Sequence, residues 1–205
     1  MKATLSLILL LFISATVSAE EQAADDRAAR AEAYLKMRMQ YAESTDYNPY
    51  AAEIHEIKKQ SRELLEKGDF EGAIQEATKG LAIDRLNINL LMIQAAAYRA
   101  KGDLQKADET RQTWVSLVDS IVRHGDGKSF ETAFQVISLD EEYAVVSLFR
   151  LEMVKQRLVR HNQSEFDVLT VRPRGSGNDF QMFFNVDIPK GWLNKYFLDT
   201  KDKQN

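Results

Sequence analysis

The 205-residue sequence contains no cysteine and only three histidines. Without cysteine the chain has neither disulfides nor thiol chemistry, so its stability has to come from packing in any compartment. No two of the histidines, His55, His124 and His161, have the three- or four-residue spacing that would present both to one metal ion from a helix. We therefore expect neither a metal site nor a cofactor.

An excess of basic residues is also missing. Lysine and arginine together number 27 against 31 acidic residues, a formal net charge of −4. Loss of residues 1–19 would remove one lysine and no acid, which leaves a charge of −5. Nucleic-acid binding depends on cations that neutralise phosphates, so an acidic chain of this kind is not expected to bind nucleic acid.

Long hydrophobic runs are confined to the N-terminus. Lys2 precedes an unbroken apolar run over residues 7–13, and Val17, Ser18 and Ala19 come before Glu20. A transmembrane helix needs about 20 apolar residues, whereas a short run that ends in small residues is typical of a secretory signal peptide. The sequence predicts a signal peptide over residues 1–19, no stable membrane insertion after cleavage, and a periplasmic or secreted protein.

Residues 20–50 are predicted to form an N-terminal helix and a turn. The segment up to Glu43 is rich in alanine and charge and has neither glycine nor proline, which favours a helix. Its apolar residues include Ala33, Leu35, Met37, Met39 and Tyr41. The turn contains Pro49, which disfavours helical geometry at the preceding residue. At the other end of the chain, residues 199–205 are predicted to be a polar tail.

Residues 51–124 contain a repeated turn. KGDFEGA at residues 67–73 returns 34 residues later as KGDLQKA at residues 101–107. Each copy offers a glycine to end one helix, an aspartate to cap the next, and an alanine where two helices would approach closely. The matched positions are Gly68 and Gly102, Asp69 and Asp103, and Ala73 and Ala107. The repetition predicts two helical hairpins.

These hairpins resemble tetratricopeptide repeats, in which small residues recur at fixed places of a 34-residue helical hairpin. The inward face would carry Ile57, Ser61 and Leu64 in the first copy and Leu91, Ala95 and Tyr98 in the second. The resemblance implies that the neighbouring face of each first helix lines a groove that binds a protein or peptide. The predicted binding residues are His55, Lys58, Arg62, Asn89, Met92 and Arg99. Three of them are cations, which suit a carboxylate or an acidic peptide.

The hydrophobic period changes after residue 124. Strands are predicted over residues 133–137, 156–160, 166–171 and 180–186, with a helix over residues 143–153 after the first strand. SLDE at residues 138–141 has the spacing of a helix capping box. Residues 125–198 are therefore predicted to form a small antiparallel domain of β-α-β-β-β order, and the whole chain an α+β fold.

Several phrases resemble a family of secreted bacterial proteins that carry a domain of unknown function. The phrases are YNPY, GDFEGA, GDGKSFETAFQVIS, DEEY, FDVLTV and FNVDIPKGWL. The resemblance covers residues 34–193 and brings no activity with it.

No motif in the sequence indicates a reaction. GDGKS at residues 125–129 lacks the first glycine of a phosphate-binding loop and precedes a strand instead of a helix, so we interpret it as a structural joint. Asp140, Glu141 and Glu142 fit the start of a helix, where negative charge is favourable. The sequence favours an exported, non-catalytic interaction protein of the bacterial cell envelope that binds an acidic peptide. The alternatives are an envelope hydrolase that uses carboxylates such as Asp126 or Asp187, and a periplasmic inhibitor or immunity-type protein.

Overall fold

The computed structural model of the chain describes residues 3–175 and 177–202. Within them the chain forms seven helices and four strands. They are α1 (Ala3–Ala42), α2 (Ala52–Glu66), α3 (Phe70–Ile83), α4 (Ile88–Ala100), α5 (Leu104–Val122), β1 (Phe134–Gln135), α6 (Leu139–Leu148), β2 (Leu151–His161), β3 (Ser164–Pro173), β4 (Phe180–Asn185) and α7 (Asp187–Asp202). Of the predicted signal peptide, residues 1 and 2 lie outside this part, as do residues 203–205 of the predicted polar tail.

The α+β fold class is confirmed. The strands form one sheet in the order β1-β4-β3-β2, with antiparallel pairs between β2 and β3 and between β3 and β4. The prediction of a wholly antiparallel sheet is wrong, because β1 runs parallel to β4. Parallel neighbours need a long connection instead of a tight turn, and α6, β2 and β3 together provide it.

The repeated turns have the same geometry. Gly68 and Gly102 have φ angles of 79° and 84°, which glycine adopts without strain. In the first turn the N–H of Asp69 donates to the Leu64 carbonyl at 2.9 Å, and in the second the N–H of Asp103 donates to the Tyr98 carbonyl at 3.0 Å. The two aspartate side chains then accept from backbone N–H groups in the first turns of α3 and α5. Helices α2 to α5 consequently form two consecutive hairpins of a helical-repeat-like architecture.

The buried face of the first helix includes Tyr41, one of the apolar residues named above, but not Met37. Ala31 and Arg38 are 0% exposed and Tyr41 is 5% exposed, whereas Met37 is 39% exposed. The buried positions follow helical spacing, and one of them carries a charge. Among the described residues, no helix combines the length and apolarity needed to cross a membrane.

One hydrophobic core joins the hairpins to the sheet. It contains Leu91 of α4, Ile121 of α5, Val145 of α6 and Phe184 of β4. Residues on both sides of the predicted boundary at 124/125 therefore share one core. Phe134, immediately after the GDGKSFETA stretch, is 2% exposed and lies 5.6 Å from the ring of Phe184, which agrees with a structural joint at this place.

Two elements differ from the predicted ones. Helix α6 ends at Leu148 because Arg150 adopts a φ of 54°, so β2 begins earlier than expected. Helix α7 was not predicted, since Pro189 and Gly191 in its sequence disfavour a helix. Pro189 is tolerated there because it stands in the first turn, where its missing N–H has no intrahelical partner to lose.

Candidate functional site

The six predicted binding residues do not form one surface. His55, Lys58, Arg62 and Asn89 line a common groove. Met92 is partly buried against the main core. Arg99 does not line the groove and pairs with Asp108 at 2.9 Å, both side chains being about 60% exposed. The candidate site is accordingly smaller than the predicted face.

The groove lies between α2 and α4 and is closed on one side by α6. Its volume is about 390 Å³. We call it the α2/α6 groove, and its lining residues are His55, Lys58, Lys59, Arg62, Glu63, Glu66, Asn89, Asp140 and Tyr143. A second depression of about 210 Å³ adjoins it through His55, Lys58 and Asp140.

The floor of the groove is a carboxylate held by four hydrogen bonds. Lys58 Nζ donates to both oxygens of Asp140, at 2.7 and 2.8 Å. Asn87 Nδ2 donates to Asp140 Oδ2 at 2.7 Å, and Asn89 Nδ2 donates to Oδ1 at 2.9 Å. Charge-assisted bonds of this kind are the strong ones. Lys58 therefore joins α2 to α6 and already has an anionic partner.

The mouth of the groove carries cations without such partners. Neither the Lys59 side chain nor the Arg62 side chain makes a hydrogen bond or ion pair with any described residue, and the same holds for the His55 side chain. Glu63 pairs with Lys67 at 3.7 Å. An anionic ligand in this groove would thus meet Arg62 and Lys59 before Lys58.

The two residues after Asp140 are buried beneath the groove. Glu141 accepts two hydrogen bonds from the Arg38 guanidinium, both at 2.6 Å, and one from the backbone N–H of Ile137 at 2.8 Å. Arg38 also donates to Ser120 Oγ and to the Gln135 carbonyl. The predicted capping box is therefore wrong in detail. Ser138 makes no side-chain cap bond, and Glu141 serves the N–H before the cap residue and Arg38 instead.

Glu142 has no basic neighbour. Its side chain is 0% exposed, and neither carboxyl oxygen has a donor among the described residues. Burial, and then the carboxylate of Asp167, raise the pKa of Glu142 to about 9. It is consequently protonated at neutral pH and can donate to the neighbouring carboxylate of Asp167, which accepts from Gln156 at 2.7 Å.

The carboxylates of the hydrolase alternative have structural partners. Asp187 accepts from the backbone N–H of Glu165 at 2.7 Å and from Asn185 at 3.1 Å. Asp126 accepts from Thr132 at 2.6 Å, and this bond together with those to Lys128 lowers its pKa to about 2. An exposed carboxylate with so low a pKa is a poor general acid or base at neutral pH.

Sequence reasoning missed Arg38, Asn87 and the role of Asp140. The helical spacing of Ala31, Arg38 and Tyr41 on one buried face was the available signal for Arg38. No equivalent signal exists for Asp140, because its donors come from two other helices. Among the described residues, no group of three or more metal-ligating side chains is placed to hold a metal ion.

The fold and site define a class of α+β protein in which two helical hairpins are joined to a small mixed sheet by acidic residues at the start of one helix. The chain belongs to the family described as a domain of unknown function, DUF4919, whose model matches residues 22–193. No similar curated protein and no similar solved structure was found.

Proposed function

We propose that this is an exported, non-catalytic interaction protein of the bacterial cell envelope that binds an acidic peptide or protein segment in the α2/α6 groove. The observation that carries the proposal is the pair of unpartnered cations, Lys59 and Arg62, at the mouth of a groove with an ordered polar floor. The proposal is supported by the resemblance of the hairpins to tetratricopeptide repeats, whose grooves bind peptides.

The unpartnered cations favour a carboxylate beside Arg62, at an end of the groove that Glu63 and Glu66 also line. Lys58 is neutralised by Asp140, so the groove floor offers hydrogen bonds but little net charge. Arg62 lies one helical turn further along α2 and can form a bidentate contact with a carboxylate. A ligand with a carboxylate near Arg62 and an extended chain toward His55 fits this distribution.

Export is the second part of the proposal and rests on the sequence alone. Processing after Ala19 would give a mature chain that begins at Glu20. Mass spectrometry of the protein from its native host should find this N-terminus. Recovery of intact Met1 in the cytoplasm would exclude export.

The groove can be tested by charge reversal at Arg62. We expect the protein to bind a fluorescein-labelled hexaglutamate peptide, and Arg62→Glu to weaken that binding by at least about tenfold, because one charge-assisted hydrogen bond contributes about 1.5 to 3 kcal/mol. Fluorescence anisotropy measures the affinity, and circular dichroism checks the fold.

The matched control is Arg99→Glu, which reverses an exposed charge on α4 that does not line the groove. It should leave the affinity within about twofold of the parent. Equal losses in the two variants would indicate a general charge effect, and binding that Arg62→Glu leaves unchanged would remove the groove from consideration.

A further inference from the structure

Strand β2 forms one edge of the sheet. It is 11 residues long, and in the part of the chain that the structure describes it pairs with β3 alone. The backbone N–H and C=O groups on its outer side are therefore available to another strand. A β-bulge between Met153 and Lys155 interrupts the regular pairing, which leaves residues 155–161 as the continuous edge.

On the face toward α6, this edge carries Leu158 between Gln156 and Arg160, and Met153 precedes it across the bulge. Leu158 stands opposite Asp167, and Met153 stands opposite Val171, a residue of the main core. Residues opposite each other in a strand pair project to the same face, so both side chains lie on the face that packs against α6. Leu158 is 51% and Met153 is 44% exposed, and Tyr143 of α6 approaches β2 through a 3.3 Å hydrogen bond to Gln156.

The other face of the edge carries two cations together with Val159 and His161. Lys155 stands opposite Thr170 and Arg157 stands opposite Val168. Both cations are exposed, and neither makes an ion pair with any described residue. They are thus unpartnered positive charges in a protein whose net charge is negative.

We propose that β2 accepts an extended segment of another protein as a fifth strand, and that this segment alternates apolar and acidic residues. Strand addition gains affinity from backbone hydrogen bonds and specificity from the alternating side chains. Apolar residues of the segment contact Leu158 on one face, while its acidic residues meet Lys155 and Arg157 on the other. This surface is separate from the α2/α6 groove.

A second copy of this chain fits the edge poorly. Pairing two β2 edges would bring the cations of one copy beside those of the other, and like charges across a strand pair are destabilising. Lysine and arginine commonly protect an edge against such self-association. A fully protected edge would not expose Leu158. The exposed leucine leaves the edge open to a partner, and the cations beside it favour one whose charges are opposite.

The test uses the purified protein and three labelled octapeptides. One alternates valine and glutamate, one has the same composition in two blocks, and one alternates valine and lysine. We expect the first to bind most tightly by fluorescence anisotropy, and the variant Lys155→Glu/Arg157→Glu to weaken that binding about tenfold through two lost charge pairs and their repulsive replacements. Hydrogen exchange should show protection of β2 amides on peptide addition.

The matched control is Lys79→Glu/Arg99→Glu, which reverses the same number of exposed charges on α3 and α4, at positions that lie neither in the groove nor on β2. It should leave binding of the alternating peptide within about twofold of the parent. The proposal is overturned if no peptide binds, if the two valine–glutamate peptides bind equally, if the β2 variant binds as the parent does, or if protection appears on α2 instead of β2. Because hydrogen exchange reports on α2 and β2 separately, failure here leaves the groove proposal standing, and the reverse also holds.

Discussion

Helix α6 places two consecutive glutamates, Glu141 and Glu142, in the protein interior. Helix α1 lies beside the first and the sheet beside the second, and these two surroundings differ in charge. Toward α1, Glu141 forms a bidentate ion pair with Arg38. Toward the sheet, Glu142 lies beside the acidic Asp167 and keeps its proton. The same side chain in adjacent positions is thus a buried anion on one side and a buried neutral acid on the other.

The difference shows that burial alone does not decide the charge of a carboxyl group. Removing an ionised carboxylate from water is costly unless a cation and hydrogen bonds compensate. Glu141 has both, from the guanidinium of Arg38 and the backbone N–H of Ile137. Glu142 has neither, so protonation is the less costly state, and the protonated group can donate to Asp167.

The largest expected effect comes from removing the cation on the α1 side. Arg38→Ala leaves Glu141 buried without its counter-ion, and we expect it to lower the free energy of unfolding by about 3 to 5 kcal/mol. Denaturant unfolding at pH 7 measures the change. The double variant Arg38→Met/Glu141→Gln removes both charges together and should recover more than half of this loss.

Arg27→Ala is the matched control for this prediction. Arg27 forms an equally short pair with Asp119, at 2.5 and 2.6 Å, but its side chain is 59% exposed. Its partner Asp119 is only 7% exposed, so the pair is half-exposed, and we expect a loss of about 1 to 2 kcal/mol, smaller than that at Arg38. If Arg27→Ala and Arg38→Ala had equal effects, burial would not be what distinguishes the two pairs.

The repeated turn, the α+β class and the strand order along the chain were predictable from the sequence because they depend on local signals. The 34-residue repeat predicts the turn at Gly68 and Asp69, and a run of β-prone residues predicts β3. The joint around α6 was not predictable in this way. Arg38 and Glu141 are 103 positions apart, and nothing in either local sequence names the partner.

The predicted binding face illustrates the same limit. The sequence grouped Lys58 with Arg62 as cations on one helical face, and both do line the α2/α6 groove. It could not show that Asp140, 82 positions later, neutralises Lys58 and leaves Arg62 without a partner. The long-range ion pair with Asp140 therefore makes Lys58 a structural residue and leaves Arg62 as the candidate binding residue.

On the sheet side, the protonated Glu142 should give the protein an unusual dependence of stability on pH. The pKa of Glu142 rises from 4.5 for the ordinary group to about 9 in the folded protein. The folded state therefore holds a proton that the unfolded state releases above about pH 4.5. The stabilisation is fully present below that pH and is lost as the pH rises toward 9, with a slope of up to about 1.4 kcal/mol per pH unit.

Glu142→Gln should remove this contribution. Glutamine is neutral at every pH and can donate to Asp167, so the variant is expected to exceed the parent in stability at pH 8 and to match it near pH 4. Chemical denaturation over this range gives the two slopes. Glu152→Gln, at an exposed position of β2, is the control and should retain the parent's slope. A parent whose stability does not fall between pH 5 and 8 would show that Glu142 is not held as a neutral acid.

The smallest effect is expected at Asp140, which precedes the two glutamates on α6 and lies nearer the surface. The side chains of Lys58 and Asp140 are 20% and 14% exposed, so this pair is less buried than the pair of Arg38 and Glu141. Lys58→Ala leaves Asp140 with its hydrogen bonds from Asn87 and Asn89. The carboxylate of Asp140 therefore keeps side-chain donors, whereas Glu141 loses all of its side-chain donors in Arg38→Ala. We therefore expect a loss of only about 1 kcal/mol.

Lys59→Ala is the control for Lys58→Ala, because Lys59 is the next residue of α2, lines the same groove and makes no ion pair with a described residue. Its removal should change stability by less than about 0.5 kcal/mol. Thermal unfolding of the two alanine variants side by side checks the order. A loss at Lys58 as large as that at Arg38 would mean that the two asparagines do not hold Asp140 by themselves, and that the joint between α2 and α6 depends on charge as strongly as the joint between α1 and α6.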